Sequence, residues 1–339
     1  MKTLKNTVLV GALIAAGCIA TAANAATINK SVTIRGMTKT MSDGKCVNFW
    51  SFTDTTSGKL PGPQVEVGIG DTLNLSFSMM GGGGSSACAG TNNPLMEMGA
   101  YSGHTIHMHG ADVPTAEDGV PETLNGGTSG VMSDTYTFTP TANMAGSMMY
   151  HCHVHTVKHL EMGLYGALVV RPKNASGAFL NQITTNAATA YDYVQTYLFS
   201  TVDPAYHTAT GDSTVFADYN PAYFLISGAE GKSTTAPAIT LAAAKSKKVA
   251  LRLVGIHSVN GTFSIKDGSN NAQPFTVYTQ DARSLPTPQT VTSLDVSPGQ
   301  RYDIIFTTPS TTGTWYPQMT YKKLRDNSVY ATAYGKVTF

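Results

Sequence analysis

Along most of the chain, apolar and polar residues alternate over short runs that stop at Gly, Pro, Asn or Asp, the pattern of half-buried strands. Ser31 to Arg35, Gln64 to Ile69, Thr72 to Ser78, Thr135 to Thr139 and Leu164 to Val170 read as strands of a first half. A second series runs from Tyr191 to Phe339 and includes Lys248 to Val254, Pro274 to Thr279 and Arg301 to Thr307. No long run after the first 25 residues has helical periodicity, so the pattern predicts an all-β protein made of sandwiches or barrels. A polar Asn/Ala/Thr-rich stretch follows Arg171-Pro172 and predicts a boundary between two units of similar size, residues 26–172 and 173–339.

Composition agrees with a folded chain of this kind. The 339 residues are 42% apolar and only 13% charged, which excludes disorder, coiled coil and collagen. The 22 basic and 21 acidic residues nearly cancel, so there is no electrostatic footprint for nucleic acid or an anionic membrane surface. Residues 1–25 read as a signal peptide: Lys2 and Lys5 are its basic start, Val8 to Ala16 an apolar core too short to span a bilayer, and Ala23-Asn24-Ala25 a small-residue cleavage site. The implied destination is periplasmic or secreted. A lipoprotein box at Ala15-Ala16-Gly17-Cys18 is the alternative, although Ala15 stands where Leu is preferred. No later stretch reads as a transmembrane segment. In an oxidising compartment Cys46 and Cys88 form the natural disulfide, which would anchor the Gly81–Ser86 loop and leave Cys152 alone.

The lone thiol has histidine company. Seven of the nine His lie in Gly103-His104-Thr105-Ile106-His107-Met108-His109-Gly110 and in Tyr150 to His159, where the sequence is His151-Cys152-His153-Val154-His155 and ends on His159. Strand side chains alternate, so His107 and His109 share one face and His104 points to the other; likewise His151 and His153 oppose Cys152. Pairing the two strands gathers four imidazoles on one face. The other face holds His104, Cys152 and, from the following loop, His159: the His2Cys ligand set of a type 1 copper site. The four imidazoles suit a copper that binds oxygen, and the backbone from Cys152 to His151 and His153 joins the two sites. A zinc site does not need the interleaved Cys, and simple packing does not explain the histidines around it. His155 reads as a supporting or solvent-facing residue. His207 and His257, isolated in the second half, read as surface or hydrogen-bonded residues, or as ligands lent across a subunit interface. Most Met between Met37 and Met162 read as core and loop filling, with Met79, Met80, Met96, Met98, Met148 and Met149 as alternative soft ligands for Cu(I).

His104-x2-His107-x-His109-Gly110 together with His151-Cys152-His153-x5-His159-x3-Gly163-Leu164 resembles the copper motifs of multicopper oxidases and related two-domain copper enzymes. Pro61-Gly62-Pro63-Gln64, Gly70-Asp71-Thr72, Asp118-Gly119-Val120-Pro121 and Tyr165 to Val170 are similar too. In the second half the resemblance continues through Asp218 to Gly228, Leu251-Arg252-Leu253 and Ser297-Pro298-Gly299-Gln300-Arg301-Tyr302-Asp303. It implies two cupredoxin-like Greek-key β-sandwich domains, the first binding copper and the second without an evident copper motif. It implies His104, Cys152 and His159 as type 1 ligands, with Met162 or Leu164 at the axial position, and His107, His109, His151 and His153 as ligands of a type 2/type 3-like site. The activity implied is one-electron oxidation of a small reducing substrate or metal ion coupled to O2 reduction. Asp112 and Asp118, just after the His-x-His-Gly strand, are candidates to steer protons or water there.

Two departures from the family pattern bear on this reading. Five residues instead of the usual three separate His153 from His159, so the ligand loop is longer. A full trinuclear cluster takes eight histidines, whereas this chain has four in that pattern and no His-x-His pair after residue 173. Either a homo-oligomer such as a trimer completes the set, or a neighbour lends His207 or His257 as in copper nitrite reductases, or the chain is an electron carrier or copper-handling protein without oxidase turnover.

Overall fold

The computed structural model describes residues 25–79, 88, 103–123, 132–207 and 219–339. The segment read as a signal peptide lies almost wholly outside the described residues, as do the Gly81–Ser86 loop, Met80, Met96, Met98 and Asp218. No helix of the described residues is long and apolar enough to cross a membrane.

The first half folds as two four-stranded sheets. Strands β1 (Thr27–Thr40), β2 (Cys46–Thr53), β3 (Val65–Gly68) and β4 (Thr72–Met79) are followed by β5 (His107–His109), β6 (Ser133–Phe138), β7 (Gly146–His151) and β8 (Tyr165–Arg171). One sheet has the order β2-β1-β4-β6 and the other β3-β8-β7-β5. Apolar residues at every second position build the layer between them. Val32 and Ile34 of β1, Leu73, Leu75 and Phe77 of β4, and Met148 and Tyr150 of β7 share one buried core with Cys152. β1 is longer than its apolar run because its exposed start, from Thr27, pairs in parallel with β4 from Thr72.

Residues 193–338 form two seven-stranded sheets. One is centred on Tyr193–Val202, Lys248–Gly255 and Arg301–Thr307, the other on Asn260–Asp267 and Thr314–Lys322. A second core of Phe199, Leu251, Phe263, Ile304 and Tyr321 lies between them. The outer face of β7 and β8 does not meet solvent: Met149, Tyr165 and Ala167 pack against Leu198, Val254 and Ile256 of the second half. The all-β class is therefore correct, with one departure from the expected loop after His153. The segment Thr156–Met162 is a helix, α1, which begins after His155 in a left-handed conformation (φ 42°) and ends at Gly163 (φ 111°). Gly163 N–H donates to the Leu160 carbonyl at 3.0 Å, and Leu164 N–H to the His159 carbonyl at 3.0 Å, closing the helix end.

Candidate metal centres

β5 and β7 are antiparallel neighbours with His107 opposite His151 and His109 opposite Met149. This register puts His107, His109 and His151 on one face and Cys152, just past β7, in the core of the first sandwich. Around the thiol, His104 Nδ1 lies 3.5 Å and His159 Nδ1 3.1 Å from Cys152 Sγ. All three side chains are essentially buried, at 0%, 1% and 0% exposure for His104, His159 and Cys152. The added residues of the ligand loop are taken up by α1, whose last turn presents His159 to the thiol. Trp50 packs edge-on to both rings, 6.2 Å from His104 and 5.0 Å from His159. Burial alone would raise the Cys152 thiol, but the charge of His159 and the hydrogen bonds of His104 and His159 outweigh it and hold the group well below its usual range. Met162 and Leu164 belong to the same buried cluster as Cys152. The Leu164 carbonyl accepts the Cys152 N–H at 3.1 Å. His155 is exposed, its ring 6.1 Å from His159, and stands outside the convergent set.

On the opposite face the donor atoms of His107, His109 and His151 fall within 4.8 Å of one another. His153 joins less closely: its ring lies 5.1 Å from His107 and 5.8 Å from His151. His107 Nδ1–H donates to the Asp118 carbonyl at 2.7 Å, with an Asp118 carboxylate oxygen 3.4 Å away. His151 Nδ1–H donates to the Cys152 carbonyl at 2.9 Å. Both bonds fix the tautomer with the proton on Nδ1 and leave Nε2 as the atom with a lone pair to offer a metal. Burial holds His151 down at about 3, and burial together with the Arg301 charge holds His109 at about 4. These imidazoles are thus neutral at pH 7, the state in which they bind metal.

The other predicted residues are placed more plainly. Asp112 is mostly exposed and ion-paired to Arg283 at 2.7 Å, so its carboxylate is held by a partner other than the imidazoles. His207 and His257 are not surface residues; they are buried at 4% and 1% exposure. His207 Nδ1–H donates to the Asn48 carbonyl at 2.5 Å and His257 Nδ1–H to the Val259 carbonyl at 2.6 Å, so each is enclosed within its own chain. Cys46 and Cys88 form the expected disulfide and Cys152 is free. Met148 and Met149 are buried in two different cores.

Burial brings His257 down to about 4 from its ordinary 6.5, and it sits away from the clustered imidazoles. Above pH 6.5 it is neutral folded or unfolded; as the pH falls towards 4 the unfolded chain takes up the proton first, so stability is lost over that window. The loss from this one group is on the order of 3 kcal/mol. Urea unfolding of the metal-free protein between pH 7 and 4 is expected to show a shallower loss in His257→Gln than in the wild type. Parallel profiles would remove His257 as the cause.

The contacts of two further residues were not legible in the sequence. Glu161 of α1 accepts the Asp203 N–H at 2.6 Å and the Tyr219 hydroxyl at 3.0 Å and lies 3.4 Å from His207 Nε2, fastening the helix that carries His159 to the second half. Asp303 accepts the Ser147 N–H at 2.8 Å and the Ser147 hydroxyl at 2.6 Å, fastening β7 in the same way. Both are reached from residues more than 40 positions away, a separation at which local patterning says nothing.

Two family models, both described as multicopper oxidase, match residues 98–175 and 187–336, so that matched sequence covers most of the chain. The chain belongs to the multicopper oxidase superfamily. No curated protein matches it significantly. Among solved structures it is similar to the blue copper oxidase from Nitrosomonas europaea, with a TM-score of 0.68 at 19% identity over 92% of this chain and 86% of that one. It is similar to the multicopper oxidase mgLAC, with a TM-score of 0.67 at 20% identity over 93% and 86%. A multicopper oxidase from Campylobacter jejuni, described as a metallo-oxidase, gives a TM-score of 0.64 at 20% identity, but this chain covers only 57% of its length. These likenesses establish the fold as cupredoxin-like. Membership of the superfamily implies copper cofactors, in type 1 and trinuclear centres.

Proposed function

We propose that this multicopper oxidase superfamily member is an exported copper oxidoreductase that oxidises a small reducing substrate or metal ion by single electrons and reduces O2. The observation that carries the reading is the His151-Cys152-His153 tripeptide, which belongs to two back-to-back donor sets at once. His104, Cys152 and His159 fit a type 1 copper: a low-pKa thiolate and two Nδ1 donors converge in a site closed to water. His107, His109 and His151, with His153 beside them, fit the second copper site, His107 and His151 being oriented by backbone carbonyls. Copper bound at these sites supplies one-electron oxidation of the reductant and the reduction of O2.

The residues prepare that chemistry in separate ways. Trp50 and the sandwich core exclude water from Cys152. The peptide bonds on either side of Cys152 are the covalent connection between the donor sets. The Asp118 carboxylate, 3.4 Å from His107 Nδ1, is the acidic group placed to steer protons or water at the second site. The Cys46–Cys88 bridge supports an oxidising compartment, in keeping with the signal-like residues 1–25. A homo-oligomer is part of the reading, because the enclosed His207 and His257 cannot raise four clustered imidazoles to eight, whereas a second copy of the chain can.

Copper per chain, the visible spectrum and O2 uptake with a phenol, Fe(II) or Cu(I) test the proposal together. Expected are more than one copper per chain, O2 consumption, and an intense visible band that is absent in Cys152→Ser. A colourless copper-loaded protein would overturn it. The incomplete histidine set favours a second reading, a blue-copper electron carrier or copper-handling protein, and a single copper per chain without O2 uptake would decide for that one.

A further inference from the structure

The first strand begins with few side chains to hold it. Of Thr27 to Ser31 in β1, only Ile28 packs against the first core, and the other four are exposed. Main-chain pairing holds this stretch instead, with Thr27 to Ser31 running parallel to Thr72 to Ser76 of β4. One residue earlier, both main-chain groups of Ala26 are engaged. Its carbonyl accepts the Thr72 N–H at 2.8 Å, and its N–H donates to Asp71 Oδ1 at 2.8 Å.

That acceptor is built into the fold. The side chains of Asp71 and Lys173 are each only 4% exposed, and Lys173 Nζ is ion-paired to the same Oδ1 that receives the Ala26 N–H. A Cβ placed on Gly68 would stand 2.5 Å from Lys173 Cδ and 2.9 Å from Cε, and would press on Asp71 Oδ2 as well, so the pair needs the room a glycine leaves. The Gly68 carbonyl also accepts the Asp71 N–H at 3.0 Å. Ala23-Asn24-Ala25 marks the bond between Ala25 and Ala26 for cleavage. Hydrolysis there takes up one water, its hydroxyl going to the Ala25 carbonyl carbon and a proton to the Ala26 nitrogen. An α-amino group has an ordinary pKa of about 8, so this nitrogen becomes an ammonium at pH 7.

We propose that Asp71, held by Lys173 above Gly68, is the receiving site for the α-ammonium that cleavage between Ala25 and Ala26 creates, so that processing fastens the start of β1 to β4. The inference rests on the reading of residues 1–25 as an export signal. Before cleavage the Ala26 nitrogen offers Asp71 one neutral amide proton. Afterwards it offers a charged donor, and a charge-assisted hydrogen bond is roughly twice as strong as a neutral one. Ala26 is exposed, so the remaining ammonium protons keep their water while the buried carboxylate supplies the opposite charge. The strand start, which has little apolar burial of its own, thereby gains an anchor at its first paired residue. Lipidation at Cys18 would leave residues 19–25 attached and put no ammonium at this position.

Intact mass and N-terminal sequencing of the full-length gene product, recovered from a secreting host, form the first arm of the test. The expected chain starts at Ala26. A chain that starts at Met1 or carries lipid on Cys18 removes the export-signal reading and the receiving site with it, whereas an exported chain that starts at any other residue overturns the receiving site alone. The second arm compares urea unfolding of the processed protein with that of a chain carrying Gly-Ser between Ala25 and Ala26, which moves the ammonium two residues away and restores an amide at Ala26. The lengthened chain is expected to have an unfolding constant larger by about fivefold. Asp71→Asn combined with Lys173→Met removes both buried charges together, and in that background the difference between the two chains should shrink to within about twofold. Equal unfolding of the two chains with Asp71 and Lys173 in place, or an undiminished difference in the double variant, overturns the proposal.

Discussion

Asp303→Ala is expected to destabilise the protein by about 3–5 kcal/mol, read as a fall in the urea midpoint at unchanged m-value. The side chain is wholly buried, at 0% exposure, and its two oxygens are fully used. Oδ1 accepts from Arg252 Nη1 at 2.9 Å and from the Ser147 hydroxyl at 2.6 Å, while Oδ2 accepts from Ser147 N–H at 2.8 Å and from the Thr279 hydroxyl at 2.6 Å. Truncation leaves Arg252 as an uncompensated charge at 2% exposure and strips two buried hydroxyls, of Ser147 and Thr279, and a backbone N–H of their acceptor. Asp303→Asn keeps an acceptor but loses the charge, and its cost should fall between the wild type and the alanine variant. Because Ser147 lies four residues before His151 on β7, the alanine variant is also expected to bind less copper at the imidazole face. A loss below about 1 kcal/mol would place this cluster among ordinary surface pairs.

That dependence on Asp303 explains which features were legible in the sequence. The alternation His107-Met108-His109 against His151-Cys152-His153 carries the face assignment by itself, because strand periodicity is a local property, and the register of β5 with β7 follows it. The position of His159 relative to Cys152 could be read only as a long loop. A seven-residue helix shows no hydrophobic periodicity of its own, and α1 depends on Gly163 to end it and on Glu161 to fasten it. Arg301 and Asp303 stood in a recognisable run, yet nothing local says that the guanidinium lies over Gly110 while the neighbouring carboxylate grips β7. His207 and His257 read as surface or hydrogen-bonded residues because they are isolated; each is a buried group whose Nδ1–H donates to a backbone carbonyl, and isolation in the sequence does not tell the two alternatives apart.

Gly119→Ala is the substitution expected to separate the two donor sets most sharply. Gly119 takes φ +69°, and a Cβ there would meet backbone alone: Ile106 O at 2.0 Å, Ile106 C at 2.6 Å and His107 N at 3.0 Å. No flexible side chain can yield, so the segment carrying residues 118 and 119 must move away from the strand start at His107. The Asp118 carbonyl, which receives His107 Nδ1–H at 2.7 Å, moves with it, and the imidazole loses the contact that fixes its tautomer and direction. Copper affinity at the imidazole face should fall by about 10–100-fold, the usual cost of removing such a support. His104 and His159 meet Cys152 inside the sandwich core and do not contact this turn, so the visible band that depends on Cys152 should persist. Metal titration followed at that band and by the paramagnetic signal of the second copper distinguishes the outcomes. Parallel loss of both signals would mean that the turn supports the whole first sandwich, whereas loss of the second alone would show that Gly119 serves the imidazole face through His107.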